Sequence, residues 1–360
     1  MKRPSSQIKI GQKKIGKEQP VYFIAEIGSN FDGNLARAKD LIYLAKEAGA
    51  DAVKFQHYTP DTLVSDIGFQ RLGKLQSHQA NWRKSVFETY QDASLNPDWT
   101  KALKAVCDQA DISFLTSPYS LQLVDFVEPF VPAFKIGSGD ITWPEIIEKI
   151  SSKKKPVFLA TGASTLNDVD RAVRLVLHKN RDVVLMQCNT NYEAEQNNFS
   201  FLQLNVLNKY AQLYPGILLG LSDHTKGYVS VLGAVALGAR VIEKHFTDSN
   251  KRKGPDHPFA MDPKSWREMI KNTRDLEASL GDGHKKIEQN ELVTSIVQRR
   301  CIRINRNIKK GERLSRQDLE ALRPCPPKAI APYDMPKVLG KRLKRDLRTG
   351  EHLNWADIMH

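Results

Sequence analysis

Two histidines, His224 and His245, give the first chemical suggestion in this sequence. Each stands just past a short apolar run, residues 217–221 and 240–243, that reads as a buried strand. Residues 227–237 between them have the length and composition of a helix. In a strand–helix–strand unit both parallel strands end at one edge of the sheet, so imidazoles distant in sequence reach a common mouth. Side by side they can ligate a divalent ion and leave positions for water and substrate. Ser222, Asp223, Lys244 and Asp256 are expected at the same edge. One histidine at a strand end is more often a hydrogen-bonded structural residue; two at equivalent ends of consecutive strands weigh toward a site.

The elements that must position this pair recur along the chain. Apolar runs at 21–27, 52–55, 113–117, 133–136, 157–161, 183–188, 217–221 and 240–245 alternate with helix-period segments. In the first helix, 35–49, the buried face is expected to hold Ala36, Leu41, Leu44, Ala45 and Ala48. Continuous apolar strands alternating with amphipathic helices indicate a parallel sheet covered by helices. Eight units in about 260 residues fit a (β/α)₈ TIM barrel. A doubly wound open sheet is the competing architecture, but no glycine-rich phosphate loop follows the first run. Residues 1–17 read as a strand or arm outside the core. The polar stretch 57–95, with Trp82, Phe87, Tyr90 and Leu95 among charges, reads as an insertion forming a lid or substrate wall. The last helix of the barrel is expected at 263–280. The domain plan is a barrel over 1–283, a linker over 284–294 and a small β-rich module over 295–360. Turns of KKGE and RTGE type, each followed by an Asp-containing segment, mark that module. It is too small to bury a large core alone.

Catalysis on a barrel sits at the strand C-termini. Those ends carry Glu26; Lys54 and Gln56; Thr116 and Ser117; Lys135, Ser138 and Asp140; the segment Asn189–Thr190–Asn191–Tyr192; Ser222 and His224; and His245, with Asp256 further on. Lysines and hydroxyls, Ser117 included, can hold a phosphate or carboxylate. Glu26, Asp140 and Asp256 can act as acid or base. The structural alternatives are a buried salt bridge from Glu26 or Asp140 to Lys54 or Lys135, and a plain tight turn at 137–139. A strand-end lysine could also form a Schiff base, the mark of a metal-independent aldolase.

Composition narrows the function classes. The net charge is +13 and 41% of residues are hydrophobic. The basic residues are scattered, with short clusters at 153–155, 299–300 and 341–348, and no nucleic-acid motif accompanies them. Anionic small substrates or a generally basic surface are expected rather than nucleic acid or membrane. No apolar run approaches a membrane span, and the opening MKRPSSQIKIGQKK lacks the apolar stretch of a signal peptide. The cysteines Cys107, Cys188, Cys301 and Cys325 show no CxxC spacing, so free thiols and a cytoplasmic location are expected.

The segments AEIGSNFDGNLARAKDLIYLAKEAGADAVKFQ, FKIGSGD, GLSDHTKG, ALGARVIEKHF and GPDH, in this order, resemble the sialic acid synthase family, which includes legionaminic and pseudaminic acid synthases. The tail, with RRCIRINRNIKKGERLSRQDLEALRP and LGKRLKRDLRTGEHLNWADI, resembles that family's C-terminal antifreeze-like (SAF) domain. The resemblance implies condensation of phosphoenolpyruvate with an open-chain N-acetylated amino sugar, releasing phosphate by C–O cleavage. It implies a divalent metal, Mn²⁺ or Mg²⁺, on His224 and His245, and phosphate and carboxylate contacts from Lys54, Gln56, Lys135, Ser138 and Ser222. Glu26 would lie near the reacting carbons, and Tyr192 and Asp256 would face the sugar. Arg323 would reach the partner's barrel mouth in a domain-swapped homodimer. The chain departs from the family's pattern at Asp140, where many members have Glu, at Ala160, where Ser is common, in NTNYE after Cys188, and in FQHY at 55–58. The acceptor stays open among N-acetylmannosamine, its 6-phosphate and the 2,4-diacetamido-trideoxy hexoses.

Overall fold

Eight runs rich in β-branched and large apolar residues, each buried on both faces, pair in parallel and close on themselves. The structure, a computed structural model, describes residues 2–72, 79, 82, 84–192 and 196–359. An N-terminal hairpin of β1 (Gln7–Ile10) and β2 (Lys13–Gly16) comes first. The barrel strands follow as β3 (Tyr22–Glu26), β4 (Ala52–His57), β5 (Ser113–Pro118), β6 (Phe134–Ile136), β7 (Val157–Ala160), β8 (Val183–Cys188), β9 (Leu218–Asp223) and β10 (Ala239–His245). They succeed one another round a closed barrel, with β10 pairing back to β3 through the register His245↔Glu26. The last residue of the first barrel strand therefore stands beside the second histidine.

Alternation along each strand divides the core in two. One face, with Phe23, Ala25, Val53, Phe55, Leu159, Leu221 and Ile242, packs against the helices. The other fills the barrel with Tyr22, Ile24, Ala52, Leu115, Ala133, Phe158, Val184, Met186, Leu218 and Val241. Residues 1–17 are not outside the core as expected. Ile8, Ile10 and Ile15 of the β1–β2 hairpin belong to the same cluster as the barrel interior. Three isoleucines on one face of a hairpin are too apolar to be left in water, and they close the N-terminal end of the barrel.

The first helix runs over Leu35–Glu47, capped by Asn34, whose side chain accepts from the Arg37 amide. Its buried residues are Ala38, Leu41, Ile42 and Ala45, while Ala36 is exposed. The buried face is rotated slightly from the expected one, because Ile42 outweighs Ala36 in apolar area. The helix Pro263–Leu280 lies where the sequence places it, and its Trp266 is fully buried against Phe246. The insertion contributes short helices at Pro60–Leu63, Asp66–Arg71 and Val86–Ala93; parts of the expected lid, residues 73–78, 80, 81 and 83, lie outside the described residues. Among the described residues no helix is long and apolar enough to cross a membrane. All four cysteines are free.

The chain divides into two compact units, Met1–Gly281 and Asp282–His360. The stretch 284–294, expected as a linker, includes the 3₁₀ turn Gln289–Glu291 and the start of the helix Leu292–Gln298. The second unit has the small antiparallel sheet β11 (Cys301–Ile304) and β12 (Leu319–Leu322), joined by further isolated bridges. Its core holds Ile302, Ile308, Leu314, Leu343, Leu347 and Ile358. The two turns seen in the sequence are built alike. Glu312 accepts from the Lys309 amide and Glu351 from the Arg348 amide, and Arg306 pairs with Asp318 as Arg345 pairs with Asp357.

Candidate active site

The inward residues change character toward the C-terminal end of the barrel strands. Above Ile24 stands Glu26; above Ala52, Lys54 and Gln56; above Leu115, Ser117; above Ala133, Lys135; above Leu218, Ser222; and above Val241, Glu243 and His245. The apolar lower layers exclude water and hold these polar groups in place. Inside, the Lys135 ammonium donates to Glu243 at 2.8 Å and to the Ser222 hydroxyl at 3.3 Å. Lys54 pairs with Glu26 at 2.6 Å and approaches Glu243 at 3.6 Å. Gln56 donates to the other Glu26 oxygen at 2.7 Å.

This chain of charges is buried, and the placing of its lysines splits the two carboxyls. Burial pushes Glu26 up to about 7, against the pull of Lys54 and with the help of Glu243. Glu243 feels the same burial penalty, but Lys135 and Lys54 outweigh it and hold the group at about 2. Two carboxyls held so far apart, one near neutrality and one well below it, suit different roles, one able to exchange a proton and one a permanent anion. Burial alone takes Asp140 up to about 6. The Ser117 hydroxyl is buried with no partner among the described groups. A buried hydroxyl in that state is rare.

The imidazoles lie side by side as the strand-end argument expects, with ring centroids 5.4 Å apart. The Nδ1–H of His224 donates to the Asn189 carbonyl at 3.0 Å, which leaves the Nε2 lone pair available. The buried Nδ1 of His245 has no hydrogen-bond partner among the described groups, and Asp256 lies 3.7 Å from it. Burial, followed by His224 and Lys54, keeps His245 well below the ordinary imidazole value. For His224 burial also lowers, but Cys188 and the Asn189 carbonyl hold it above. Tyr192 covers His224 at 4.4 Å between ring centroids, and Phe259 covers His245 at 4.8 Å. Among the described residues no cluster of three or more His, Cys, Asp or Glu has metal-site geometry. The donor set is thus two imidazoles, one of them with an orphaned ring nitrogen, beside open space. It fits a divalent ion that takes its remaining ligands from water and substrate.

Residues 41–285 match the NeuB family and residues 299–359 match the SAF domain. The chain belongs to the NeuB family. It is 35% identical over 354 residues to the N,N'-diacetyllegionaminic acid synthase of Legionella pneumophila, covering 97% of each chain. It is 30% identical over 347 residues to a pseudaminic acid synthase of Campylobacter jejuni, covering 95% of this chain and 97% of that one. Among solved structures, the sialic acid synthetase of Leptospira borgpetersenii, determined with citrate, superposes with a TM-score of 0.69 at 26% identity, covering 81% of this chain and 96% of that one. The chain is therefore an enzyme of the sialic acid synthase family, on an eight-stranded barrel followed by a SAF domain.

In this NeuB-family chain the expected site residues meet in a polar cavity of about 530 Å³. Glu26, Lys54, Gln56, Ser117, Lys135, Ser138, Asp140, Tyr192, Ser222, His224 and His245 all line it. Asp256 lines a smaller cavity alongside. Arg323 belongs to the second unit, where it is exposed. Asp223 and Lys244 are corrections to the expected edge cluster. They pair with each other at 2.6 Å, fully buried, and Lys244 also donates to the Thr225 carbonyl, away from the cavity. Alternation explains this, since residues one step from Ser222 and His245 must face the other way. The salt-bridge alternative for Glu26 is present as well: Glu26 is ion-paired to Lys54 while lining the cavity. His57 of the FQHY departure is structural, since its ring nitrogens meet the Thr116 and Thr100 hydroxyls and burial takes it down to about 4. Ala160 puts a methyl on the cavity wall. Ser138 accepts from the Gly162 amide at 3.0 Å, and a Cβ on Gly162 would fall 1.9 Å from the Thr190 hydroxyl, so only glycine fits there. Glu243, Cys188, Tyr119 and Phe259 are site residues that the sequence reading does not single out. For Glu243 a clue exists: it stands two residues before His245 and therefore on the same face.

Proposed function

We propose that this enzyme is a nonulosonic acid synthase, condensing phosphoenolpyruvate with an N-acetylated amino sugar to a nine-carbon 2-keto acid and inorganic phosphate. The observation that carries the reading is the grouping of Lys54 and Lys135 with a partnerless buried Ser117 hydroxyl beneath two imidazoles. Phosphoenolpyruvate brings about three negative charges, which preorganised ammoniums and hydroxyls in a dry cavity stabilise far better than water-exposed ones do. Lys54, Gln56, Ser117, Lys135, Ser138 and Ser222 hold its phosphate and carboxylate.

Carbon 3 of the enolpyruvate bonds to the acceptor's aldehyde carbon, whose oxygen takes a proton. Water adds at carbon 2, giving up a proton, and the carbon 2–oxygen bond to phosphate then breaks to leave the keto acid. Glu26, near neutrality and held by Lys54 and Gln56, exchanges the water proton. Asp140 stands at the same wall as a second acid. Tyr192 and Asp256 position the sugar. A divalent ion, Mn²⁺ or Mg²⁺, held by His224 and His245 would supply the positive charge that polarises the acceptor's aldehyde.

The competing reading, a Schiff-base aldolase, needs a neutral lysine. Burial favours that form at Lys54, but Glu243 and Glu26 outweigh it and hold Lys54 above its ordinary value. The deciding experiment measures phosphate release from phosphoenolpyruvate with a panel of amino sugars in H₂¹⁸O. Label in the sugar acid is the expected result. Label in phosphate, or covalent trapping of pyruvate by borohydride, removes the proposal.

A further inference from the structure

The polar cavity adjoins a second one of about 110 Å³, and the two share Gln56, Tyr90, Tyr192 and His245. Their chemistry differs sharply. The larger carries both lysines and the serine hydroxyls. The smaller is walled by Tyr58, Trp82, Tyr90 and Tyr192, with Thr89 on its rim, and its one carboxylate among the described residues is Asp256. No lysine or arginine of the described residues lines it. The Asp256 carboxylate is fixed by the Ser29 amide and hydroxyl, at 3.1 and 2.9 Å.

Tyr58, Trp82 and Tyr90 of this wall come from the insertion and are braced edge to face. Tyr58 and Tyr90 have centroids 5.6 Å apart at 71°, Trp82 meets Tyr90 at 6.0 Å, and Tyr58 meets Tyr119 at 6.0 Å. Tyr90 sits on the helix Val86–Ala93, whose start is closed by a reciprocal Ser85–Glu88 capping box. Ring faces of this kind accept the C–H surface of a sugar. A phosphate dianion here would lose its hydration against aromatic carbon and face a carboxylate of its own sign.

We propose that this aromatic cavity sets acceptor specificity, admitting an amino sugar whose distal end is uncharged, and discriminating against a 6-phosphorylated one. The proposal rests on the condensation reaction above, with the new bond forming beside His245, where the cavities meet. Tyr58 and Thr89 line only the aromatic cavity, so they report on the acceptor without touching the lysines.

The test measures kcat/KM, with saturating phosphoenolpyruvate, for N-acetylmannosamine, its 6-phosphate and a 2,4-diacetamido-trideoxy hexose. The phosphorylated sugar is expected to be worse than its parent by about tenfold or more. Tyr58→Ala should raise the KM for the uncharged acceptor by about tenfold, Tyr58→Phe should restore it, and both should keep the KM for phosphoenolpyruvate. Thr89→Arg, at a half-buried position, should shift preference toward the 6-phosphate. Turnover with a wild-type preference for the 6-phosphate overturns the specificity inference and leaves the reaction standing. So does an acceptor KM indifferent to both Tyr58→Ala and Thr89→Arg. Absence of phosphate release with all three sugars removes the reaction and the inference together.

Discussion

Lys135 and Glu243 meet at 2.8 Å inside the barrel, and the second oxygen of Glu243 lies 3.6 Å from Lys54. One carboxylate thus restrains both ammoniums before any substrate arrives. Its permanent negative charge keeps two buried cations tolerable, and an incoming phosphate or carboxylate takes over part of that role.

Glu243→Gln keeps the shape and removes the charge. Lys135 then loses its carboxylate partner while Lys54 keeps Glu26, and breaking a buried ion pair from one side costs about 3–5 kcal/mol. The melting temperature should fall by several degrees, and saturating phosphoenolpyruvate should raise it more in the variant than in the wild type. An unchanged melting temperature with an unchanged ligand shift would show that Glu243 does not compensate the lysines.

Glu26 gives a pH signature of definite sign. Its folded value, about 7, lies above its ordinary 4.5, so the folded state binds the extra proton between these values. Stability from this group is therefore full below the ordinary value and is lost as pH rises toward 7, by on the order of 3 kcal/mol. Glu243, moved the other way, acts at lower pH: its contribution is present above 4.5 and is lost as pH falls toward 2. Denaturant titrations from about pH 5 to 7.5 should show the decline in the wild type and a shallower one in Glu26→Gln, where Asp140, raised to about 6 by burial, still contributes at the acid end. If the ionised form accepts the water proton, kcat should climb through the same window. A Glu26→Gln protein with wild-type kcat and wild-type pH slope would exclude the assignment.

The imidazole pair predicts metal dependence that can be read without turnover. Chelation should abolish activity and Mn²⁺ should restore it. His245→Ala should fail to bind Mn²⁺ by electron paramagnetic resonance while still showing a thermal shift with phosphoenolpyruvate, since the lysines are intact. Stoichiometric Mn²⁺ binding in that variant would place the metal elsewhere.

The barrel and the strand-end residues that line its cavity were legible because a parallel barrel makes each strand an apolar run and sends all C-terminal ends to one rim. Parity was the weak point. Val241 and Ile242 make RVIEKH apolar on both faces below Glu243, so nothing before His245 says whether Glu243 or Lys244 turns inward. The anchor lies in His245, and carrying its parity back two residues places Glu243 with Ser222 and leaves Lys244 to Asp223. The hairpin was misplaced for a related reason: QIKIGQKKIG is polar by count, but its Ile8, Ile10 and Ile15 share one face. Phe259 comes from a segment whose course no periodicity encodes, whereas Tyr90 falls in the insertion expected as a lid or substrate wall and lines the smaller cavity.

The C-terminal unit is compact in its own right, and Arg323 is exposed on it. A guanidinium offers five fixed donors, a geometry that grips an acetamido carbonyl more firmly than an ammonium does. If Arg323 completes the mouth of a partner's barrel in a homodimer, neither Arg323→Ala nor Glu26→Ala should turn over alone. Mixed under conditions that exchange subunits, they should recover activity, because one mouth of each heterodimer has an intact barrel facing an intact arm. With equal amounts and full exchange that is about a quarter of all mouths. Recovery in proportion to measured exchange supports the swapped arrangement. Full exchange without recovery places Arg323 over its own barrel, and normal kinetics in Arg323→Ala removes the arm from the chemistry.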